Sequence, residues 1–209
     1  LETEQNLYVY NRYKYLSPTL GMNWQINESH SVGIRYRPGF GLRSESSQEG
    51  KSVANIGGIL DDETNTDAIV LTEPSPTHEV NMYYNGRAGK LNIDFNADFH
   101  DSRSKELKTY NEISKYQDNR ILNTSSNTHN RLYASKLTLT YPLFGGVLTA
   151  GSEYSNTMRY DEYINDEGYV PSAYTKIREY ELSAYAEYIY PFRFGSLTAG
   201  IRYEHIGFN

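Results

Sequence analysis

The sequence contains no cysteine, which excludes a disulfide scaffold, a thiolate metal site and a cysteine nucleophile. It contains no apolar run of about 18 residues, so no transmembrane helix is encoded. That absence leaves membrane strands open, because those are short and only half apolar. Long basic runs are missing as well. With a net charge of −6, the chain offers no basic stripe of the kind that holds nucleic acid. The opening Leu1-Glu2-Thr3-Glu4-Gln5-Asn6 lacks the basic start and apolar stretch of a signal peptide. Without an initiator Met, a mature product or an excised piece is expected. Apolar residues make up only 38% of the 209, yet 14% are aromatic and 21 are Tyr. Disordered chains are poor in aromatics, so the composition describes a sheet with one wet face and one greasy face.

What the sequence does contain is period two. In Lys90–His100, Leu91, Ile93, Phe95, Ala97 and Phe99 fall on one side, and Lys90, Asn92, Asp94, Asn96, Asp98 and His100 on the other. A strand segregates that pattern and a helix does not. The same alternation predicts eight strands, roughly 7–26, 31–40, 78–85, 90–100, 131–142, 147–156, 177–191 and 196–206. Most are near the 9–11 residues of a tilted membrane strand. Charges gather on the side opposite the apolar one, as with Arg35, Arg37, Asp94, Lys136, Glu153, Glu187 and Arg202.

The connections alternate strictly. Short turns are expected at Asn27–His30, Gly86–Gly89, Phe144–Gly146 and Phe192–Gly195, with Asn85-Gly86 a strong turn dipeptide. Long polar links are expected at 41–77, 101–130 and 157–176, with Ala68-Ile69-Val70-Leu71 reading as extra strand beyond the membrane. Short turns at one end and long links at the other are the asymmetry of outer-membrane barrels. Tyr36, Phe40, Tyr84, Tyr141, Tyr154, Tyr188, Tyr190, Phe192 and Tyr203 gather towards strand ends, where an interfacial aromatic belongs. The fold class is therefore all-β: an antiparallel up-and-down meander of about eight strands, a barrel or a segment of a larger transmembrane β-barrel, forming one unit over 1–209.

The segments Glu179–Tyr188 and Gly195–Glu204, the latter ending Ala-Gly-Ile-Arg-Tyr-Glu, resemble a barrel hairpin of Gram-negative outer-membrane proteins related to TonB-dependent receptors. Ser17–Trp24 is similar to another strand of that family. The specific wording covers a small part of the chain and the hairpin pattern most of it. The resemblance implies a plugged barrel of about 22 strands that takes up an extracellular ligand in the outer membrane, with energy drawn through TonB by way of a plug. This chain carries no recognisable plug, and at Phe208-Asn209 a strand runs towards a further loop. A middle slice of a barrel is therefore expected, whose partners are outer-membrane lipid and an extracellular ligand, with no nucleic acid and with open edges available for self-association. The alternatives are a complete eight-stranded structural or adhesion barrel and a secreted β-sandwich or lectin-like binding protein.

No catalytic set is visible, no cofactor is implied, and a non-enzymatic role is expected. His30, His78, His100, His129 and His205 are scattered, whereas a metal site needs convergent ligands. Two acidic clusters, Asp61, Asp62, Glu63 and Asp67, and Asp161, Glu162, Asp166 and Glu167, have the oxygen chemistry of Ca²⁺ ligands but no EF-hand spacing. Solvated loops account for them. Asp94 with Asp98 and Glu179 with Glu181 share a face, which a wet lumen explains more simply than glycosidase carboxylates. Ligand specificity is expected in the long links, so that deletion of about ten residues within 45–65 alters binding and spares folding. The competing account puts it on lumenal Arg35, Asp94, Lys136 and Arg202.

Overall fold

A computed structural model describes residues 2–209, so Leu1 lies outside it. All regular structure is β, in twelve strands: β1 Glu2–Arg12, β2 Tyr15–Leu16, β3 Leu20–Asn27, β4 His30–Gly41, β5 Ser44–Ile56, β6 Ile59–Thr72, β7 Pro76–Ala88, β8 Leu91–Ser114, β9 Arg120–Leu143, β10 Gly146–Asn165, β11 Ala173–Phe192 and β12 Gly195–Phe208. They form one sheet, and every pairing is antiparallel. A single layer replaces the sandwich alternative. Nor does the sheet close, since β3 and β12 are not paired with each other among the described residues.

The twelve strands stack into eight columns, which are the eight segments that alternation predicts. The lower tier runs β3-β4-β7-β8-β9-β10-β11-β12. Above it, β1-β5-β6 joins the upper half of β8: β6 pairs Thr64–Thr72 with Glu106–Ser114, and β7 pairs Thr77–Ala88 with Leu91–Ser102. The expected strand 7–26 is divided, because the first column breaks at 13–14 and 17–19. The second and third columns break beside it, at 42–43 and 73–75. Pro18 and Pro74 sit in these breaks and have no N–H to give to a ladder.

The long links are not loops but strand. Residues 41–77 hold the β5–β6 hairpin, and 101–130 and 157–176 are the upper halves of β8–β9 and β10–β11. Their connections shrink to 57–58, 115–119 and 166–172. All three lie at the end away from the short turns, as the antiparallel meander requires. Gly57 and Gly58 both have positive φ, 60° and 79°, the requirement of a two-residue type I′ hairpin.

One short turn moves. Asn85 and Gly86 are paired strand residues, opposite Asp94 and Ile93, and the β7–β8 turn is Gly89-Lys90. The reason is packing. A Cβ on Gly86 would stand 2.3 Å from the Tyr84 hydroxyl and 2.7 Å from His30 Nδ1, so this glycine makes room for a tyrosine laid over it.

Candidate membrane belt and lumenal face

Register decides what the alternation builds. Starting at the level of Tyr36, one row across the sheet reads Leu20, Tyr36, Val80, Phe99, Tyr133, Asn156, Tyr180, Gly207. The row beneath reads Met22, Ile34, Met82, Ala97, Ser135, Tyr154, Leu182, His205. The third reads Trp24, Val32, Tyr84, Phe95, Leu137, Ser152, Ala184, Tyr203, and Ile93, Leu139, Ala150, Ala186 and Ile201 follow in the fourth. Tyr141, Leu148, Tyr188 and Ala199 line up below them, and Tyr190 and Leu197 close the face. None of these positions holds Asp, Glu, Lys or Arg. The apolar sides of eight separate segments have merged into one continuous belt.

Nothing in the protein covers this belt. Trp24 is 60% exposed and Ile201 76%, and even on central strands Met82 is 46% and Phe95 36% exposed. Soluble monomers rarely expose contiguous apolar patches beyond a few hundred Å². On β11 the belt runs from Tyr180 to Tyr190, about 33 Å of strand at ~3.3 Å per residue. A tilt of about 45° projects that to about 23 Å, close to the ~25 Å apolar band of membrane barrels. By the same measure β8 and β9, at 24 residues each, are about 80 Å long, more than a bilayer accommodates. The upper tier therefore lies outside any membrane that holds the belt.

The opposite face of the belt is polar and bonded to itself. Arg37 forms an ion pair with Glu79, which also faces His100 Nδ1 at 3.7 Å. Asn81 Nδ2 donates to Asp98 at 2.8 Å, and Asn96 Nδ2 to Asp94 at 2.8 Å. Lys136 Nζ lies 2.7 Å from Glu153, and Arg202 reaches Glu153 at 3.1 Å while also pairing with Glu204. Tyr185 and Thr138 share a hydrogen bond at 3.0 Å beneath that cluster. Lys136, Glu153 and Arg202 are thus brought together. Arg35 and Asp94 lie on the same face but six and four strands away from Arg202. The face is a mixed-charge wall in which both signs recur within a few Å.

The other sequence candidates do not converge. Asp62 accepts hydrogen bonds from Ser114 Oγ at 2.8 Å and Thr64 Oγ1 at 3.1 Å, while Glu63 pairs with Lys51 at 2.6 Å and Lys115 at 3.8 Å. Asp161 pairs with Arg159 at 2.6 Å and accepts from Thr128 at 2.9 Å. Glu162 accepts from Asn127 at 2.7 Å, and Glu167 from Asn123 at 2.7 Å. Asp62, Glu63, Asp161, Glu162 and Glu167 of the two acidic clusters are thus each engaged by protein donors. His30, His78 and His205 each share a hydrogen bond with a tyrosine, Tyr84, Tyr36 and Tyr180 respectively, and His129 with Asp101. Among the described residues no three His, Cys, Asp or Glu could hold a metal ion.

Sequence reasoning missed a second group. In the two rows directly above the belt, on its own face, stand Asp101, Arg131, Met158 and Arg178, then Arg103, His129, Tyr160 and Lys176. The signal was present as alternation, Asp101/Arg103 against Ser102/Ser104 and Lys176/Arg178 against Thr175/Ile177, inside segments that read as loops.

No family model matches the chain, and no curated protein matches it. Solved structures show a loose likeness to outer-membrane proteins. The outer membrane protease OmpT from Escherichia coli is 11% identical over 90% of this chain and 68% of that one, with a TM-score of 0.37. The ferripyoverdine receptor of the outer membrane of Pseudomonas aeruginosa is 10% identical over 98% and 37%, with a TM-score of 0.46. The ferric citrate transporter FecA is 11% identical over 99% and 38%, with a TM-score of 0.43. The chain spans less than two fifths of either of these last two.

Proposed function

We propose that this chain is a wall segment of an outer-membrane transport or receptor β-barrel larger than eight strands. The apolar belt faces lipid, the mixed-charge face lines the lumen, and the upper hairpins reach out to an extracellular ligand. The observation that carries this reading is the registered belt: eight columns expose one apolar face without a charged residue, and the opposite face of the same residues is charged. Only a closed sheet can carry strands through a bilayer, because unpaired backbone groups find no water there. The unpaired edges at β3 and β12 therefore call for further strands of a larger ring. A wall of this kind binds and passes solutes and needs no catalytic group.

Cysteine scanning tests it directly, since the chain has no cysteine of its own. Leu137→Cys, Ala184→Cys and Ile201→Cys are expected to resist a water-soluble maleimide in the cell envelope. Lumenal Thr138→Cys and the hairpin-tip Gly58→Cys are expected to react. Equal labelling of all five positions would overturn the membrane reading.

A further inference from the structure

The chain is acidic overall, at −6, yet one patch is not. The two rows above the belt place four permanent cations, Arg103, Arg131, Lys176 and Arg178, on the belt's own face with one carboxylate, Asp101. The patch extends from β8 to β11, three strand spacings or about 14 Å. Asp101 is only 9% exposed and is taken up by His129 Nε2 at 2.8 Å and Arg131 Nε at 2.9 Å, with Arg103 at 4.0 Å. Lys176 and Arg178 are exposed, two residues apart on one strand face. Among the described residues neither forms an ion pair. Lys176 Nζ stands 5.4 Å from the Tyr160 ring centroid, and that ring stacks on His129 at 6.0 Å. An aromatic floor thus separates the Arg103–Arg131 pair from the Lys176–Arg178 pair.

Position gives the patch its meaning. It begins where the belt's Tyr133 and Tyr180 end, on the hairpin side only. At the other end the outward rows hold Tyr141, Tyr188 and Tyr190 and no cation. On the lumenal face, by contrast, Arg37 pairs with Glu79, Lys136 with Glu153 and Arg202 with Glu204, and Arg35 stands apart from that network. Net positive charge, with Lys176 and Arg178 outside any ion pair among the described residues, thus lies at one end of the belt and on its own face.

We propose that this patch is a docking site for phosphate-bearing headgroups of lipids in the leaflet on the hairpin side. Arginine and lysine supply donors matched to phosphate oxygens, while Tyr160 and Met158 offer apolar surface to the glycerol or sugar region of the same lipid. The inference rests on the membrane reading above.

The test uses full-length protein in detergent with phosphatidic acid or phosphatidylcholine added, and counts retained lipid by native mass spectrometry. The test variant is Arg103→Gln/Lys176→Gln/Arg178→Gln, which leaves Arg131 on the buried Asp101. Wild type is expected to retain phosphatidic acid over phosphatidylcholine by about tenfold or more, as befits several cations near a membrane surface. The triple variant is expected to lose that preference, and Lys108→Gln, on the other face of β8, to keep it. Equal retention of the two lipids by wild type would overturn the proposal, as would an unchanged preference in the triple variant. Displacement of the lipid by an equal concentration of inorganic phosphate would also overturn it, by assigning the site to free phosphate. Maleimide protection at positions 137, 184 and 201 separates the two claims. Protection without lipid preference sinks only this inference, and loss of protection in wild type sinks the membrane reading with it.

Discussion

The lower and upper halves of β8–β11 are the same strands, with the same pairing partners across β8–β9–β10–β11, and yet their sequences obey different rules. Below the Asp101 row one face is Leu, Ile, Phe, Ala and Tyr and the other carries charge. Above it the outward positions of β8 and β9 mix Thr109, Asn111, Asn123, Ser125 and Asn127 with Leu107, Ile113 and Ile121, so polar residues occupy both faces and the apolar side is interrupted. The ladder does not change at this level and the character of the outward face does. Backbone pairing is therefore what makes these segments strands, and side-chain alternation only reports what each face touches.

The largest expected effect sets that contrast directly. Ala184→Arg places a cation in the third row of the belt, and a cost of about 2–4 kcal/mol is expected for a charge near the midplane. Ser125→Arg, outward on the upper tier, is expected to cost within about 0.5 kcal/mol, as exposed substitutions do. Urea unfolding in lipid vesicles measures both, and similar costs would erase the distinction between tiers. Next in size is Gly151→Ala. The added Cβ would lie 2.5 Å from the Leu137 carbonyl oxygen and 2.6 Å from the Tyr185 ring, so about 1–3 kcal/mol of overpacking is expected. Gly200→Ala is the control, since its nearest neighbour is at 3.3 Å. If the two cost the same, tyrosine-over-glycine packing does not stabilise the polar face of the sheet.

Acid sharpens the comparison from the other side. At the top of β6, removal from water works against the charge of Asp62, but hydrogen bonds from Ser114 and Thr64 hold its pKa below the ordinary value. Next to it, the hydrogen bond and charge of Lys51 depress Glu63, with Lys115 adding to them. A carboxylate with a depressed folded pKa stabilises above its unfolded pKa, and that stability is lost as pH falls through the folded one. Amides of 60–66 and 112–116 are therefore expected to lose hydrogen-exchange protection below about pH 4, while 91–99 keeps it. Loss at both places together, or between pH 5 and 7, would count against separate tiers. The smallest effect on stability is expected from removing Val53, Ala54, Asp62 and Glu63, two opposed pairs, which lowers the β5–β6 tip and preserves its turn. The belt is expected to unfold as before, within about 0.5 kcal/mol, with binding of the extracellular ligand altered. Unchanged binding after this trim would favour the lumenal wall as the selecting surface.

These same contrasts explain what could be read in advance. The eight columns were legible because an apolar face and a polar face on the same strand force alternation. Residues 124–128, Thr-Ser-Ser-Asn-Thr, pair with both β8 and β10, yet they have the composition of a loop, because polar residues on both faces leave no pattern. The turn signal of Asn85-Gly86 misled for a different reason. The glycine serves a neighbouring ring, which is tertiary information absent from a dipeptide. The cationic patch needed register above all: Arg103, Arg131, Lys176 and Arg178 come from three separate strands and meet only when those strands are aligned row by row.

The breaks at 13–14 and 17–19, 42–43 and 73–75 sit side by side, across three columns whose neighbours β8–β11 run through without interruption. Only isolated backbone bonds bridge that level, among them Leu42 N–H to the Lys14 carbonyl and Glu73 N–H to the Lys105 carbonyl. In mechanical terms the sheet is scored along a line. Bending stiffness in a sheet comes from the unbroken ladder, so curvature concentrates where the ladder is thinnest. The β1-β5-β6 panel is then carried by the nine-residue ladder of β6 on the uninterrupted β8, much as a shutter hangs from one upright of its frame.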